Sequence, residues 1–262
     1  LWMAQTDQFY THKIDNSCRF DFGSSAYLTK TWGGSPSSTS AFTLAFWVKR
    51  CSLVDYNAHD KSHFVFAADN GSHISSYIGF NFQSGDHATN DQFNVYLSPS
   101  SGNSVAWNTG SSSHALFRDL SAWYHFHIKV DLSEGTDANK IKVWINGVQV
   151  TSPTVSAEGT RTSHNALDNS MQNWIGSWSV VANYYPDYYL ADYHLVDGSA
   201  LAYTTFGEFK NGVWIPKQYT GSYGNNGFHL EFKATGTGTA SASTIGADTS
   251  GEDNHWTSSG LA

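Results

Sequence analysis

The sequence predicts an all-β fold, an antiparallel two-sheet β-sandwich, and three observations carry that prediction. Apolar residues recur at every second position in several blocks, as in Phe126, Ile128 and Val130 alternating with His125, His127 and Lys129. A period of two gives a strand one apolar face and one wetter face. Asn146-Gly147 sits between two such blocks, and this pair best tolerates positive φ at both central positions of a two-residue hairpin turn. The composition of 16 Phe, 14 Tyr, 10 Trp and 23 Gly with 14% charged residues suits pleated surfaces joined by tight turns.

The elements follow in order. AFTLAFWVKR places Phe42, Leu44, Phe46 and Val48 on one face and Trp47 and Lys49 on the other. HFVFAADNG reads as a strand ending in a turn at Asp69, Asn70 and Gly71. YIGFNF and FNVYL are further strands, and the polar segments from Gln83 to Gln92 and from Ser98 to Ser113 read as surface loops. Trp123–Val150 then holds two strands and the hairpin. Closing the turn at Asn146-Gly147 sets Val148 opposite Ile145 and Val150 opposite Val143, extending one apolar face with an exposed turn at its tip. NWIGSW, YYLADYHLVDG and GVWIPKQYTGSYGNNGFHLEF supply later strands. The longest helical candidate, near Leu201 to Phe209, is too short to stand alone.

Three parts are expected: an N-terminal arm over residues 1–15, the sandwich over 16–205, and an extension over 206–262 with further strand material draped on the sandwich. Trp256 argues for draping, because a free linker has little reason to hold a tryptophan. The end after Gly260, Leu261 and Ala262 is abrupt enough that more chain is expected beyond it. The opening LWMAQTDQFYTHK lacks the apolar core of a secretory signal, and no apolar run is long enough to cross a bilayer. A net charge of −8 with only four arginines argues against a nucleic-acid partner, which needs clustered cations on phosphates. Cys18 and Cys51 could be bridged, closing a loop worth roughly 3 kcal/mol; the favoured reading leaves both as weakly polar fillers.

Three blocks in this order, FTLAFWVKR, then WYHFHIKVD through WINGVQV, then YLADYHLVDGSAL, resemble the laminin G-like branch of the concanavalin A-like sandwiches. The resemblance covers about residues 15 to 205. IDNSCRFDFGSSAYLTKTW, GVWIPKQYTGSYGNNGFHLEF and DTSGEDNHWT are similar to such domains in virion proteins of tailed bacteriophages, especially marine ones. The resemblance implies a jelly roll with loops at its rim, where relatives bind glycans or proteins and sometimes calcium. The expected function is a non-enzymatic virion structural or adhesion protein, multi-copy in the particle, contacting other virion proteins and host-surface glycans. The alternative is a secreted or cell-surface carbohydrate-binding module, and the third reading a diverged glycoside hydrolase.

Candidate chemistry is sparse. A retaining glycosidase needs two carboxylates about 5 Å apart, yet no two of the five glutamates lie two or four residues apart, and the odd spacing of Asp187 and Asp192 opposes their directions. No catalytic residue is assigned. His125 and His127 share a strand face and could meet one metal, but no third ligand is identifiable, and their place is the wetter face. DTSGEDN lacks the remainder of a calcium loop, and Asp69, Asp131 and Asp137 cannot be brought together from sequence. No metal and no cofactor are assigned. For contact with a glycan or partner, the candidates are Trp107, Trp178, Tyr184, Tyr185, Tyr188 and Tyr189, rings suited to stacking on sugars, with half of the tyrosines expected to point inward.

Overall fold

The computed structural model describes residues 9–53, 62–71, 74–81, 91–98, 104–109, 117–158, 161–178 and 184–261. In chain order the strands begin with β1 (Cys18–Phe20), β2 (Tyr27–Thr31), β3 (Ala41–Arg50), β4 (Ser62–Asp69), β5 (Ile74–Asn81) and β6 (Gln92–Leu97). β7 (Ser104–Asn108), β8 (Tyr124–Asp131), β9 (Ile141–Ile145), β10 (Val148–Gln149), β11 (Thr154–Glu158) and β12 (Gln172–Ile175) follow. β13 (Tyr188–Asp197), β14 (Gly207–Lys210), β15 (Val213–Pro216), β16 (Phe228–Leu230) and β17 (Thr257–Ser259) complete the set.

The strands form a two-sheet antiparallel β-sandwich. The first sheet runs β1-β13-β3-β8-β9-β10, with β16 also pairing β13; the second runs β11-β7-β6-β5-β4-β12-β2-β17. Phe42, Leu44, Phe46 and Val48 of β3 and Phe126, Ile128 and Val130 of β8 all face the interior and are fully buried, as their alternation requires. Phe126 meets Phe93 and Phe80 of the opposite sheet at ring-centroid distances of 4.3 and 5.7 Å. A register shift in β4 between Phe64 and Phe66 disturbs its ladder with β5. At this point Tyr188 and Tyr193 of the first sheet donate their hydroxyls to the carbonyls of Phe64 and Val65 at 2.7 and 2.9 Å, tying the sheets together.

The hairpin register is the one read from the turn. Asn146 and Gly147 take φ of 49° and 78°, Val148 pairs with Ile145, and the Val150 N–H donates to the Val143 carbonyl. Its surroundings differ from expectation in two ways. Val148 is 64% exposed, because β10 is the last strand of its sheet and its side chains find no cover there. The Asn146-Gly147 tip is not free: a Cβ on Gly147 would run into the rings of Trp214 and Phe209.

The segment from Ser98 to Ser113, expected as a loop, contains β7. Val105 and Trp107 alternate inward there and are buried, a period-two signal short enough to be hidden by the serines and glycines around it. The expected loop from Gln83 lies outside the described residues until Asp91. No disulfide joins the cysteines; both are free, and burial pushes the Cys18 thiol up to about 12. Among the described residues, no helix is long and apolar enough to cross a membrane.

Residues 206–261 contribute to three layers. β16 extends the first sheet, β17 pairs with β2 in the second, and Trp256 is fully buried against Phe228 and Trp32. The β14–β15 hairpin, preceded by a 3-10 turn at Tyr203–Thr205, forms a cover over the outer face of the first sheet. Phe206 and Tyr223 pack with Ala45 and Val196 in a second small core, while Thr43 anchors the approach, donating to the Ser199 carbonyl and accepting from the Leu201 N–H.

Candidate functional site

The outer face of the first sheet carries Trp47 of β3, His125 and His127 of β8, and Asp192 and His194 of β13. Sequence alternation marks this face as the wetter one, but the cover makes it dry: His125, His127, Asp192 and His194 are all buried. Each of the two β8 imidazoles makes one local contact. Trp214 Nε1 donates to His125 Nδ1 at 3.1 Å, and His127 Nε2 lies 3.2 Å from the Leu201 carbonyl. Burial lowers the His125 pKa to about 3 and that of His127 to about 4. Both are therefore neutral structural groups at pH 7.

The N-terminal arm crosses beside this cover. Thr11 Oγ1 donates to Glu208 of β14 at 3.3 Å, Lys210 Nζ sits 5.6 Å from the Phe9 ring, and His12 Nε2 lies 3.7 Å from Asp192. Between arm, sheet and hairpin opens a groove of about 710 Å³. Tyr10, Trp47, Trp123 and Trp214 supply aromatic walls, and Lys13, Asp15, Asn16 and Ser17 supply polar groups. Trp123 and Tyr10 present open ring surface at 37% and 46% exposure.

A second arrangement lies on the other side of His12. The β13–β3 register sets two residues between Ala191 and His194, Asp192 and Tyr193, against the one between Trp47 and Ala45, Phe46. Asp192, with φ of 47°, is the extra residue of this bulge. His229 of the neighbouring β16 brings Nε2 to 2.8 Å from Asp192 Oδ1, and His194 Nε2 approaches the same oxygen at 3.0 Å. The two imidazoles stack at 3.9 Å between centroids. Burial alone would push the Asp192 carboxyl up, but the electrostatic pull of His194 and the hydrogen bonds of the neighbouring imidazoles outweigh it and hold the carboxyl below its ordinary range. Burial lowers His194 against the pull of Asp192, whereas the contact with Asp192 raises His12.

The six aromatic residues singled out from sequence do not share one surface. Trp107 and Tyr188 are core residues with 1% and no exposure, which removes them as contact groups; on both strands alternation aims them inward. Tyr184 packs edge-on against Trp178 and near Phe64, while Tyr185 stacks on Tyr27, so these three rings belong to the side of the second sheet. Tyr189 alone adjoins the groove, with its ring 6.5 Å from that of Trp123. Asp248 of DTSGEDN accepts backbone N–H groups from His229, Ser250 and Asn254, making a capped turn. What sequence reading missed is the pair Asp192 and His194 with His229. The signal was present as Asp-x-His inside YLADYHL, where alternation puts both on one face, but the partner from GFHLEF lies 35 residues away.

No protein-family model matches the chain, and no curated protein matches it. Solved structures do. A candidate carbohydrate-binding protein from Bacteroides ovatus superposes with a TM-score of 0.62 at 13% identity, over 96% of this chain and 60% of that one. The chain thus spans less than two thirds of that protein's length. A heptameric SAP-like pentraxin from Limulus polyphemus gives a TM-score of 0.38 at 13% identity, covering 73% of this chain and 80% of that one. The LG1-3 region of the laminin alpha2 chain gives 0.38 at 10% identity, covering 79% and 33%. At such identities the first likeness shows a shared sandwich fold, and the other two are too distant to add to it.

Proposed function

We propose that the protein is a carbohydrate-binding β-sandwich domain that holds a glycan, without catalysis, in the groove between the N-terminal arm and the β14–β15 hairpin. The observation that carries this reading is the groove lining, in which Tyr10, Trp47, Trp123 and Trp214 share one concavity with Asp15, Asn16 and Lys13. Sugar rings present apolar C–H faces bordered by hydroxyls, so flat aromatic walls with a few hydrogen-bonding groups are the complementary surface. The fold likeness to the candidate carbohydrate-binding protein of Bacteroides ovatus supports the same ligand class. Of the readings from sequence, the carbohydrate-binding module is the one these observations favour. Placement on a tailed-phage particle is a finer proposal supported by the terminal sequence motifs alone, and detection of the chain in purified particles by mass spectrometry tests it.

A glycan array followed by calorimetry on the hits tests the binding reading. Trp123→Ala is expected to weaken binding about two- to tenfold, since a stacking ring contributes about 0.5–1.5 kcal/mol beyond its area, with the fold intact because Trp123 lies on the surface. If no polysaccharide binds at millimolar concentration, or if Trp123→Ala and Tyr10→Ala both leave affinity unchanged, the groove is not a glycan site.

A further inference from the structure

We propose that Asp192, His194 and His229 form a binding site for one divalent transition-metal ion of the zinc class, with His12 of the arm beside it as an additional donor. Nothing in this site depends on the glycan reading.

The donor set and its spacing carry the inference. Among the described residues this is the one group of three or more His, Cys, Asp or Glu whose ligand atoms all lie within 4.8 Å of one another. His229 Nε2 and His194 Nε2 stand 2.8 and 3.0 Å from Asp192 Oδ1. Two ligands bonded to one tetrahedral ion at about 2.0–2.2 Å are themselves about 3.3–3.6 Å apart, so these groups need spread by only about half an ångström to admit the ion among them. Two imidazoles and a carboxylate suit zinc and its neighbours better than calcium, which prefers six to eight oxygens.

The outer contacts are those of ligating histidines. Both rings turn Nε2 toward the shared point and hold Nδ1 elsewhere: His194 Nδ1 lies 2.7 Å from the Tyr223 hydroxyl, and His229 Nδ1 lies 3.1 Å from Thr249 Oγ1. Such second contacts orient a metal-binding imidazole and select its tautomer. His194 Nε2 is buried and has no aligned hydrogen-bond partner despite its approach to Asp192, an unsatisfied donor or acceptor aimed into the site.

Access and an open coordination position are both present. A cavity of about 400 Å³ is lined by His12, His194 and His229 together with Glu231 and Thr249. Three protein ligands leave a fourth tetrahedral position, to be taken by His12 or by water or an oxygen from a ligand entering that cavity. With His12 3.7 Å from Asp192 Oδ2, the ion also sits where it would fasten the arm to β13 and β16.

The test is metal binding by the full chain. After chelator treatment and dialysis, zinc is titrated by calorimetry, and a parallel cobalt titration is followed by its visible absorption. One equivalent of zinc is expected to bind at micromolar or tighter affinity, to raise Tm, and to leave magnesium and calcium without comparable effect. His229→Gln, which preserves side-chain bulk, is expected to lower zinc affinity at least 100-fold while circular dichroism shows an intact fold. Thr249→Ala is expected to lower it about tenfold, as loss of a second contact does. The proposal is overturned if folded wild-type protein binds no zinc below 100 µM, or if folded His229→Gln binds zinc as wild type does. In the first case the three residues are a hydrogen-bonded triad; in the second the ion sits elsewhere.

Discussion

The inward side chains of β3, β8 and β13 are mainly Phe, Leu, Ile, Val and Tyr, while the outward ones include Trp47, His125, His127, Asp192 and His194. Both faces are nevertheless buried, with Phe126 fully inaccessible and His125 only 2% exposed. The inner face is held by apolar area and ring packing between two sheets. The outer face is held by specific partners brought over it by the β14–β15 hairpin and the segments flanking it: Trp214 on His125, the Leu201 carbonyl near His127, Tyr223 on His194. Burial is thus no sign of apolarity in this sheet. A buried imidazole needs its hydrogen bonds and its neutral form, which gives the outer face a pH sensitivity that the inner face lacks.

Three measurements bear on this contrast. Phe126→Ala, at the contact with Phe80 and Phe93, is expected to cost about 3–5 kcal/mol by urea denaturation; a loss below about 1 kcal/mol would mean that the inner face is not the main source of stability. Acid acts next, through the outer face. The unfolded chain protonates histidines near pH 6.5, whereas the folded chain resists until about 4 at His127 and about 3 at His125. Between those values the unfolded state holds more protons, so stability falls as pH drops, by up to about 1.4 kcal/mol per pH unit for each site. Urea midpoints at pH 7, 5.5 and 4.5 read this slope, and His127→Gln, which cannot take up the proton, is expected to make it shallower. An unchanged slope in that variant would move the acid sensitivity elsewhere. The smallest effect is expected at Val148→Thr, within about 0.5 kcal/mol, because this inward-phase position at the sheet edge is 64% exposed.

The strands were legible where a local rule was enough. The alternation in AFTLAFWVKR coincides with β3 from Ala41 to Arg50, and Asn146-Gly147 set the β9–β10 register because a two-residue turn leaves no freedom in pairing. β7 was hidden because its two inward residues, Val105 and Trp107, lie in a polar stretch whose composition outweighs so short a period. The groove was legible only in fragments. Trp47 and Trp123 stood in recognised strand blocks, but nothing local says that Tyr10 and Trp214 come to lie beside them.

By itself, then, the sequence determined the sandwich, the faces of its main strands and the turn that pairs β9 with β10, since each depends on the pleat and on backbone sterics within a few residues. Only the tertiary structure decided that the outer face is dry, that Trp107 and Tyr188 are core, and that His12, Asp192, His194 and His229 converge. Those outcomes depend on which distant segment covers which face. The β13–β16 pairing and the path of the arm join side chains separated by up to 217 residues, and no period or turn in the chain encodes that contact.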